Sequence, residues 1–475
     1  MQIAELLARA RALVRSAEDE AAKQAYIDIL RMDPTNFSAL NELGTLAWAG
    51  GFRSAARTAY QQALLHHPAN PIGHVNLGNV LRDEGDLDGA RRHYQSALDI
   101  DGSLPEAHRG MASVLAELNE DGAEQHLRQG YAASALTTSP YRGTGKGVPL
   151  LLLVSARAGN LPTRLWIDDR HYTVHALYAE FFDPGTPLPP HEIVVNAIGD
   201  ADLCEDALLC AERLLAGRSA PVINAPARVR ATGRLENARR LAGIPGLIAP
   251  RIDALSRAAL LERADLGFPL LLRRPGYHTG RHFLRAQNRD ELAAAAASLG
   301  GEQLLAIEYL EARGADGMAR KYRVMFIDGL AYPLHLAISA DWKVHYFSAA
   351  MATNASFRDE ERRFLEDMPA VLGAKAMAAL ERVNSTLGLE YAGIDFGLAR
   401  CGSVLLFEAN ATMVVFPPGP EPIWDYRRRA IDTVLEAARR MLTRRLELKP
   451  LAAPTAGRSS TPPDSNTRRQ TNSSD

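Results

Sequence analysis

The strongest constraint on this chain is a 34-residue period running through its first 130 residues. Asp33-Pro34 returns as His67-Pro68 and Asp101-Gly102. Tyr26, Tyr60 and Tyr94 keep the same register, as do Leu30, Leu64 and Leu98, and Ala22, Ala56 and Ala90. Small residues recur at Ala10, Gly44, Gly78 and Ala112. A period of this length implies one helical hairpin per repeat, which cannot bury its apolar face alone and must stack on its neighbours. The small residues let the two helices of a hairpin approach, while Tyr and Leu fill the gap to the next hairpin. Three repeats and a decayed fourth from Ser103, acting as a cap, suffice for a short solenoid.

The rest of the chain has a different rhythm. Residues 131–147 are rich in Gly, Ser, Thr and Pro and read as a linker. Its "GTGKG" lacks both the first glycine and the Ser/Thr of a phosphate-binding P-loop. Residues 148–252 alternate strands ("PLLLLVSA", "EIVVNAIGDAD", "APVINAP", "PGLIAPRI") with helices near 203–216 and 233–243, which argues for an open parallel sheet. Residues 253–311 read as a small α+β lobe with a helix at 289–299, and residues 312–446 as a larger one. The larger lobe opens with three antiparallel strands turning at Asp328-Gly329 and Asp341, followed by a helix at 370–388. Residues 447–475 carry no hydrophobic pattern and are expected to be disordered.

A formal net charge of −2 argues against a surface built for nucleic acid. Cys204, Cys210 and Cys401 are odd in number and lack metal-site spacing, which points to reduced thiols and a cytoplasmic protein. The longest apolar run, "VPLLLLV", is too short to span a bilayer, so no membrane association is expected.

The most informative stretch is "YAGIDFGLARCGSVLLFEAN", residues 391–410. Two apolar runs flank Cys401-Gly402, each with a carboxylate inside it. If that dipeptide is a two-residue turn, Asp395 faces Glu408 across the ladder, with Asn410 one pleat further on. Two carboxylates about 5 Å apart repel by about 3 kcal/mol at an effective dielectric of 20. Such a pair requires cationic company.

Two resemblances follow from these residues. "NELGTLAWAGGFRSAARTAYQQALLHHP" is similar to a tetratricopeptide repeat, which implies a concave groove that docks a peptide or partner protein. Residues 148–445 resemble the ATP-grasp superfamily, nearest in motif to ribosomal-protein glutamate ligases and D-alanine–D-alanine ligases. The expected fold is thus multidomain: an all-α tetratricopeptide solenoid, an α/β pre-grasp domain and two α+β ATP-grasp lobes.

The resemblance implies ATP and Mg²⁺ as cofactors, with Mn²⁺ as an alternative ion, and Asp395, Glu408 and Asn410 as metal ligands. Arg273 stands where the family carries a phosphate-binding Lys. Gly276 to His282, with Gly276 and Gly280, matches a glycine loop over the phosphates that Arg281 or His278 would join. Glu308, Tyr309 and Leu310 would line adenine, Asp316 or Glu311 would meet ribose, and Arg234 would be a basic ATP contact. Lys321 and Arg323 are the catalytic candidates, with His335, Lys343 and His345 on neighbouring strands. Gly393 stands where several relatives carry an Arg. "ATMVVFPPGP" replaces a Ser-Pro-Gly run beside the acceptor.

The implied activity is an ATP-dependent carboxylate–amine (or carboxylate–thiol) ligase working through an acyl phosphate on small-molecule or peptide substrates, and a homodimer is allowed. The alternatives are a tetratricopeptide scaffold whose grasp domain binds nucleotide without ligating, and an ATP-grasp phosphotransferase.

Overall fold

The computed structural model describes residues 2–16, 18–118, 120–132, 135–275, 283–344 and 349–447. The first part is helical throughout. Four hairpins follow one another: α1 (Gln2–Arg15) with α2 (Asp19–Met32), α3 (Phe37–Ala49) with α4 (Arg53–His66), α5 (Pro71–Asp83) with α6 (Leu87–Ile100), and α7 (Pro105–Leu118) with the shorter α8 (Ala123–Tyr131). Side-chain caps mark the starts of several helices. Asn36, Asn70 and Asp86 accept hydrogen bonds from the first-turn amides of α3, α5 and α6. The repeated Asp33 and Asp101 fold the intervening loops by accepting the amides of Thr35 and Ser103.

The in-register tyrosines are buried, and the small residues explain why they can be. A Cβ on Gly44 would lie 2.6 Å from the Tyr60 ring, and one on Gly78 would lie 2.8 Å from Tyr94. Each ring therefore packs on the small residue of its own hairpin. Tyr94 also reaches the next hairpin, where a Cβ on Gly110 would stand 2.3 Å from it.

Two histidine pairs repeat with the fold. His74 and His93 bring their Nδ1 atoms to 3.0 Å, and His108 and His126 bring theirs to 2.8 Å. The Nε2–H groups of His74 and His108 donate to the carbonyls of Pro68 and Gly102. A backbone carbonyl only accepts, so Nδ1 of His74 and of His108 is the acceptor for its partner imidazole. Burial, then the facing ring, lowers the pKa of His93 and of His126.

The solenoid ends against the first sheet. Leu127 and Tyr131 pack with Ala112, Ala156, Tyr178 and Phe181, and Arg157 reaches Glu124 at 2.7 Å. Tyr131 lies at the start of the expected linker, and that linker also contains a short strand, β1 (Leu136–Thr138).

Among the described residues, three sheets follow the solenoid. The first orders its strands β1-β3-β2-β4-β5, with β2 (Val148–Val154), β3 (Tyr172–Tyr178), β4 (Ile193–Asn196) and β5 (Val222–Ile223) parallel and β1 antiparallel at the edge. Strands β2, β4 and β5 are those expected from strand–helix alternation, with α9 (Glu205–Leu215), α10 (Pro226–Arg230) and α11 (Arg234–Leu241) following, whereas β3, parallel to β2, was not expected. Next come β6 (Leu247–Ile248) and β7 (Ile252–Ser256). The first of these, expected in the parallel unit, instead pairs with Val404 and Leu405 in the third sheet.

The second sheet, ordered β7-β10-β8-β9, is antiparallel. It contains β8 (Leu270–Arg273), β9 (Phe283–Ala286) and β10 (Gln303–Glu308), with α12 (Arg257–Glu262) and α13 (Arg289–Ser298) packed on it. The third sheet, ordered β12-β11-β13-β14-β6, contains β11 (Ala319–Ile327), β12 (Leu330–Ser339), β13 (Tyr391–Leu398) and β14 (Val404–Asn410). Helices α14 (Ala355–Glu366), α15 (Met368–Leu387) and α16 (Asp425–Glu447) complete it. The expected long helix is α15, broken at Gly373, whose φ is 79°. Helix α14 was not expected. The third antiparallel strand falls largely on 345–348, outside the described residues, as does the tail from 448. Among the described residues no helix is long and apolar enough to cross a membrane.

The histidine pairs make the solenoid's stability pH-dependent. His93 and His126 have folded pKa values below that of an unfolded imidazole, so the neutral pairs stabilise the fold above about pH 6.5. That contribution is lost as pH falls through the folded values. Around His93 the facing groups are His74 and Arg92, which disfavour charge, and Asp86, which favours it. The melting temperature is expected to fall between pH 7.5 and 5.5. In the double variant His93→Gln plus His126→Gln, which keeps a donor and cannot charge, that fall should be smaller in thermal melts followed by circular dichroism.

Candidate functional site

The hairpin formed by β13 and β14 positions the site, and it reaches the expected pairing by a different route. The turn is longer than two residues: Ala399 accepts from the Gly402 amide at 2.9 Å, and Gly402 takes the left-handed conformation at φ 74°. Near the turn Leu398 faces Val404 and Phe396 faces Leu406, one residue out of the expected register. A bulge then absorbs Phe407, after which Asp395 faces Glu408 and Gly393 faces Asn410. The expected rung is restored only where the carboxylates lie.

A second bulge lies on the adjoining pair of strands. Arg323 faces His335 and Val324 faces Pro333, leaving Leu334 as the extra residue. Bulges re-aim side chains beside active sites. Here Leu334 and His335, and likewise Leu406, Phe407 and Glu408, line one cavity although they are consecutive in sequence.

That cavity, of about 620 Å³, lies where the second and third sheets meet the 159–160 loop and Asp200 of the first unit. Its volume is in the range of small-molecule sites. Arg234, Arg273, Lys321, Arg323 and Lys343 all line it, as do Glu308, Tyr309 and Leu310.

The cations answer the repulsion between the facing carboxylates. Arg323 donates Nε to Asp395 Oδ1 at 2.5 Å and Nη2 to Oδ2 at 2.7 Å, and Lys321 Nζ reaches Oδ2 at 3.1 Å. Glu408 accepts from Arg234 Nη2 at 2.7 Å and from Asn410 Nδ2 at 2.9 Å. Burial alone would raise the Asp395 pKa, but Arg323 and Lys321 hold it far below the carboxylate range. Burial and then the nearby Arg234 lower Arg273 to about 10, which leaves it charged at neutral pH. His335 is buried beside Arg323, and both effects, burial first, push its pKa well down, so it is neutral.

The expected residues divide clearly. Asp395, Glu408, Lys321, Arg323, Arg273, Arg234, His335, Lys343 and Glu308 to Leu310 share the cavity. Asn410 lies beside Glu408 but faces a narrower recess with Asp200, Asp202 and Asn237. Its Oδ1 accepts from the amide and hydroxyl of Thr412.

Asp316 does not reach the cavity. It pairs with Arg320 at 2.8 Å, four residues on, and that guanidinium and the Met318 amide hold its pKa down to about 2. Glu311 is turned to Tyr309 Oη and Arg313. Gly276, His278, Gly280, Arg281 and His345 lie outside the described residues.

Sequence reasoning missed several groups. Asp202 accepts the Arg234 amide, which holds α11 at the cavity. Burial raises the pKa of Asp202. Trp342, Tyr309 and Phe283 form an aromatic wall with Arg285 over the first two, at 5.2 and 5.4 Å. Trp342, in the expected Asp341 turn, was the one local signal for that wall.

Oxygen donors from two carboxylates and an amide are of the kind a hard cation takes. Among the described residues no three His, Cys, Asp or Glu side chains gather as a metal cluster. Glu408 lines both the cavity and the recess, so an ion held between Asp395 and Asn410 would have to take the place of Arg323 and Lys321 on Asp395 and of Thr412 on Asn410, with oxygens of a bound ligand completing its shell.

The Asp395–Arg323–Lys321 cluster is buried, so removing one partner strands the others. Asp395→Asn is expected to lower the unfolding free energy by about 3 kcal/mol at pH 7, measured by urea denaturation. Asp395 has a depressed folded pKa, so its contribution is full above the unfolded value near 4. The deficit of the variant should shrink below about pH 4.

Comparison with known proteins bears on the solenoid. The profile of the tetratricopeptide repeat matches residues 41–105. No curated protein matches the chain. Among solved structures, a thermophilic tetratricopeptide-repeat protein in Thermus thermophilus is 21% identical, covering 28% of this chain and 74% of that one, with a TM-score of 0.26. The Sgt2 TPR domain from Aspergillus fumigatus is 20% identical over 25% of this chain and 80% of its own, with a TM-score of 0.24. MamA 41-end from Desulfovibrio magneticus RS-1 is 17% identical over 27% and 72%, with a TM-score of 0.25. The family match at residues 41–105 and the stacked helical hairpins make the N-terminal region a tetratricopeptide-like solenoid, followed by a mixed, sheet-rich region.

Proposed function

We propose that the sheet-rich region is an ATP-dependent carboxylate–amine or carboxylate–thiol ligase of ATP-grasp type, and that the solenoid docks a peptide or protein partner. One observation carries the reading. Asp395 and Glu408 face each other on one rung of a cavity that Arg234, Arg273, Lys321, Arg323 and Lys343 also line. These cations, of which Arg234, Lys321 and Arg323 also meet Glu408 and Asp395, are groups of the kind that hold a polyphosphate.

In the proposed reaction a carboxylate oxygen of the acid attacks the γ-phosphorus of ATP. The bond to the bridging oxygen breaks, leaving ADP and an acyl phosphate. The amine nitrogen then attacks the acyl carbon, the C–O bond to phosphate breaks, and the nitrogen loses a proton to give the amide. Mg²⁺, held by Asp395, Glu408 and Asn410, would neutralise polyphosphate charge.

This chain's own groups do the positioning. Arg323, in register with Asp395, and Lys321, two residues earlier on the same strand, would supply the charge that the transferred phosphoryl group meets. Arg273 can hold a phosphate bidentately. Glu308, whose carboxylate accepts the Arg251 amide at 3.0 Å, steadies the strand end at Tyr309 and Leu310, where the base would lie. Tetratricopeptide solenoids present surfaces for protein partners, so the docking role stands on the repeats themselves.

Mg²⁺-dependent ATP binding followed by calorimetry tests the reading. The double variant Glu408→Gln plus Asn410→Ala should lose at least tenfold in affinity, and wild-type protein that is folded yet binds no ATP would sink the proposal. Deleting residues 1–130 should raise KM for a protein substrate without altering ATP affinity, and an unchanged KM would remove the docking role.

A further inference from the structure

The cavity has a second character that the nucleotide does not account for. Beyond Thr412, whose hydroxyl is turned to Asn410, the segment to Gly419 lines it with Met413, Val414, Phe416, Pro417 and Pro418, none of which has a side-chain N–H or O–H group. This apolar wall stands beside the charged cluster. Gly393 shares a strand face with Asp395, two residues away. A Cβ on Gly393 would lie 2.7 Å from Met413 Cγ and 3.0 Å from Met325 Sδ, so Met413 fills the space over that pleat. The Tyr391 hydroxyl holds the Met413 carbonyl at 3.2 Å, which fixes the segment there.

Leu334, re-aimed by its bulge, adds an apolar side chain next to the Arg323–His335 rung, and Ile431 of α16 packs in the same buried cluster as Leu334 and Met413. At the rim Phe416 is 58% exposed, a large apolar ring left in water on a cavity lip.

We propose that the acid activated here is a monocarboxylic acid with an apolar body. Its carboxylate meets Lys321 and Arg323, sharing them with Asp395, and its body lies against Leu334, Met413, Phe416 and Ile431. This rests on the ligase reading and names its acid. The lining carboxylates Asp200, Glu308, Asp395 and Glu408 offer partners to an ammonium elsewhere in the cavity, so the preference for an apolar body rests on the 413–418 wall, where a polar group is desolvated. The carboxylate end has cations on two adjacent alternating positions of β11, and the apolar end begins one pleat away.

The full chain would be titrated calorimetrically with acetate, butyrate, hexanoate and octanoate, with glutamate and hexanol as controls, and with ATP–Mg²⁺ in a separate cell. Affinity is expected to rise about fourfold per added methylene, with hexanoate at least tenfold tighter than either glutamate or hexanol. Phe416→Ser should flatten the rise. A flat series, or glutamate bound more tightly than hexanoate, overturns the inference, and ATP binding in the same protein then leaves the ligase reading standing. A steep series without ATP binding supports the acid site and removes the ligase reading instead. A flat series with no ATP binding overturns both.

Discussion

The chain's sheet-rich region is organised by the neutralisation of Asp395. Its carboxylate lies on the central strand pair of the third sheet, buried, with Arg323 forked onto both oxygens and Lys321 on one of them. Desolvating a carboxylate without partners is prohibitive, so β11 and β13 must pair in the one register that sets Arg323 opposite Asp395. Glu408 then falls across from Asp395, and Arg234 must come from α11 to meet it. The position of α11 in turn depends on Asp202, which accepts its first amide. One buried charge thus links the first unit to the third sheet.

The two bulges follow from the same demand. A regular hairpin closed by the observed turn would keep Leu398 opposite Val404 and carry a one-residue offset to the site. The extra residue at Phe407 corrects that offset at the rung where the carboxylates meet. Leu334 does the equivalent work on β12, letting His335 and an apolar neighbour face the same side. The polar side chains His335 and Glu408 and the apolar Leu334 and Phe407 are brought side by side in this way, an arrangement that strict alternation along a strand does not allow. It suits a ligand with a polar end and a greasy one.

Legibility differed sharply between the two halves. The tyrosine and glycine positions of the solenoid could be read because repeats reuse the same local contacts, and each hairpin touches only its neighbours. The Asp395–Glu408 rung was legible from spacing alone, even though the turn was not. Asp316 stands apart from the cavity because an Arg four residues later captures it, a local pairing that resemblance to a family does not reveal. The carboxylates meet Arg234, Lys321 and Arg323, the last two on a strand far earlier in the chain. Strand β6 was misplaced for a related reason: two residues of apolar sequence do not say which sheet they will join.

Sequence by itself determined the features that depend on near neighbours: the 34-residue helical hairpins, the parallel heart of the first sheet, and the two carboxylates set to face each other. Periodicity and short-range turn chemistry suffice for these, because the interacting groups lie within one or two elements. Tertiary structure alone decided the pairing of Arg323 and Lys321 with Asp395, the approach of Arg234 to Glu408, both bulges, and the apolar wall of Met413 over Gly393. These rest on desolvation and close packing between segments far apart in the chain. Such energies exist only once the sheets have met.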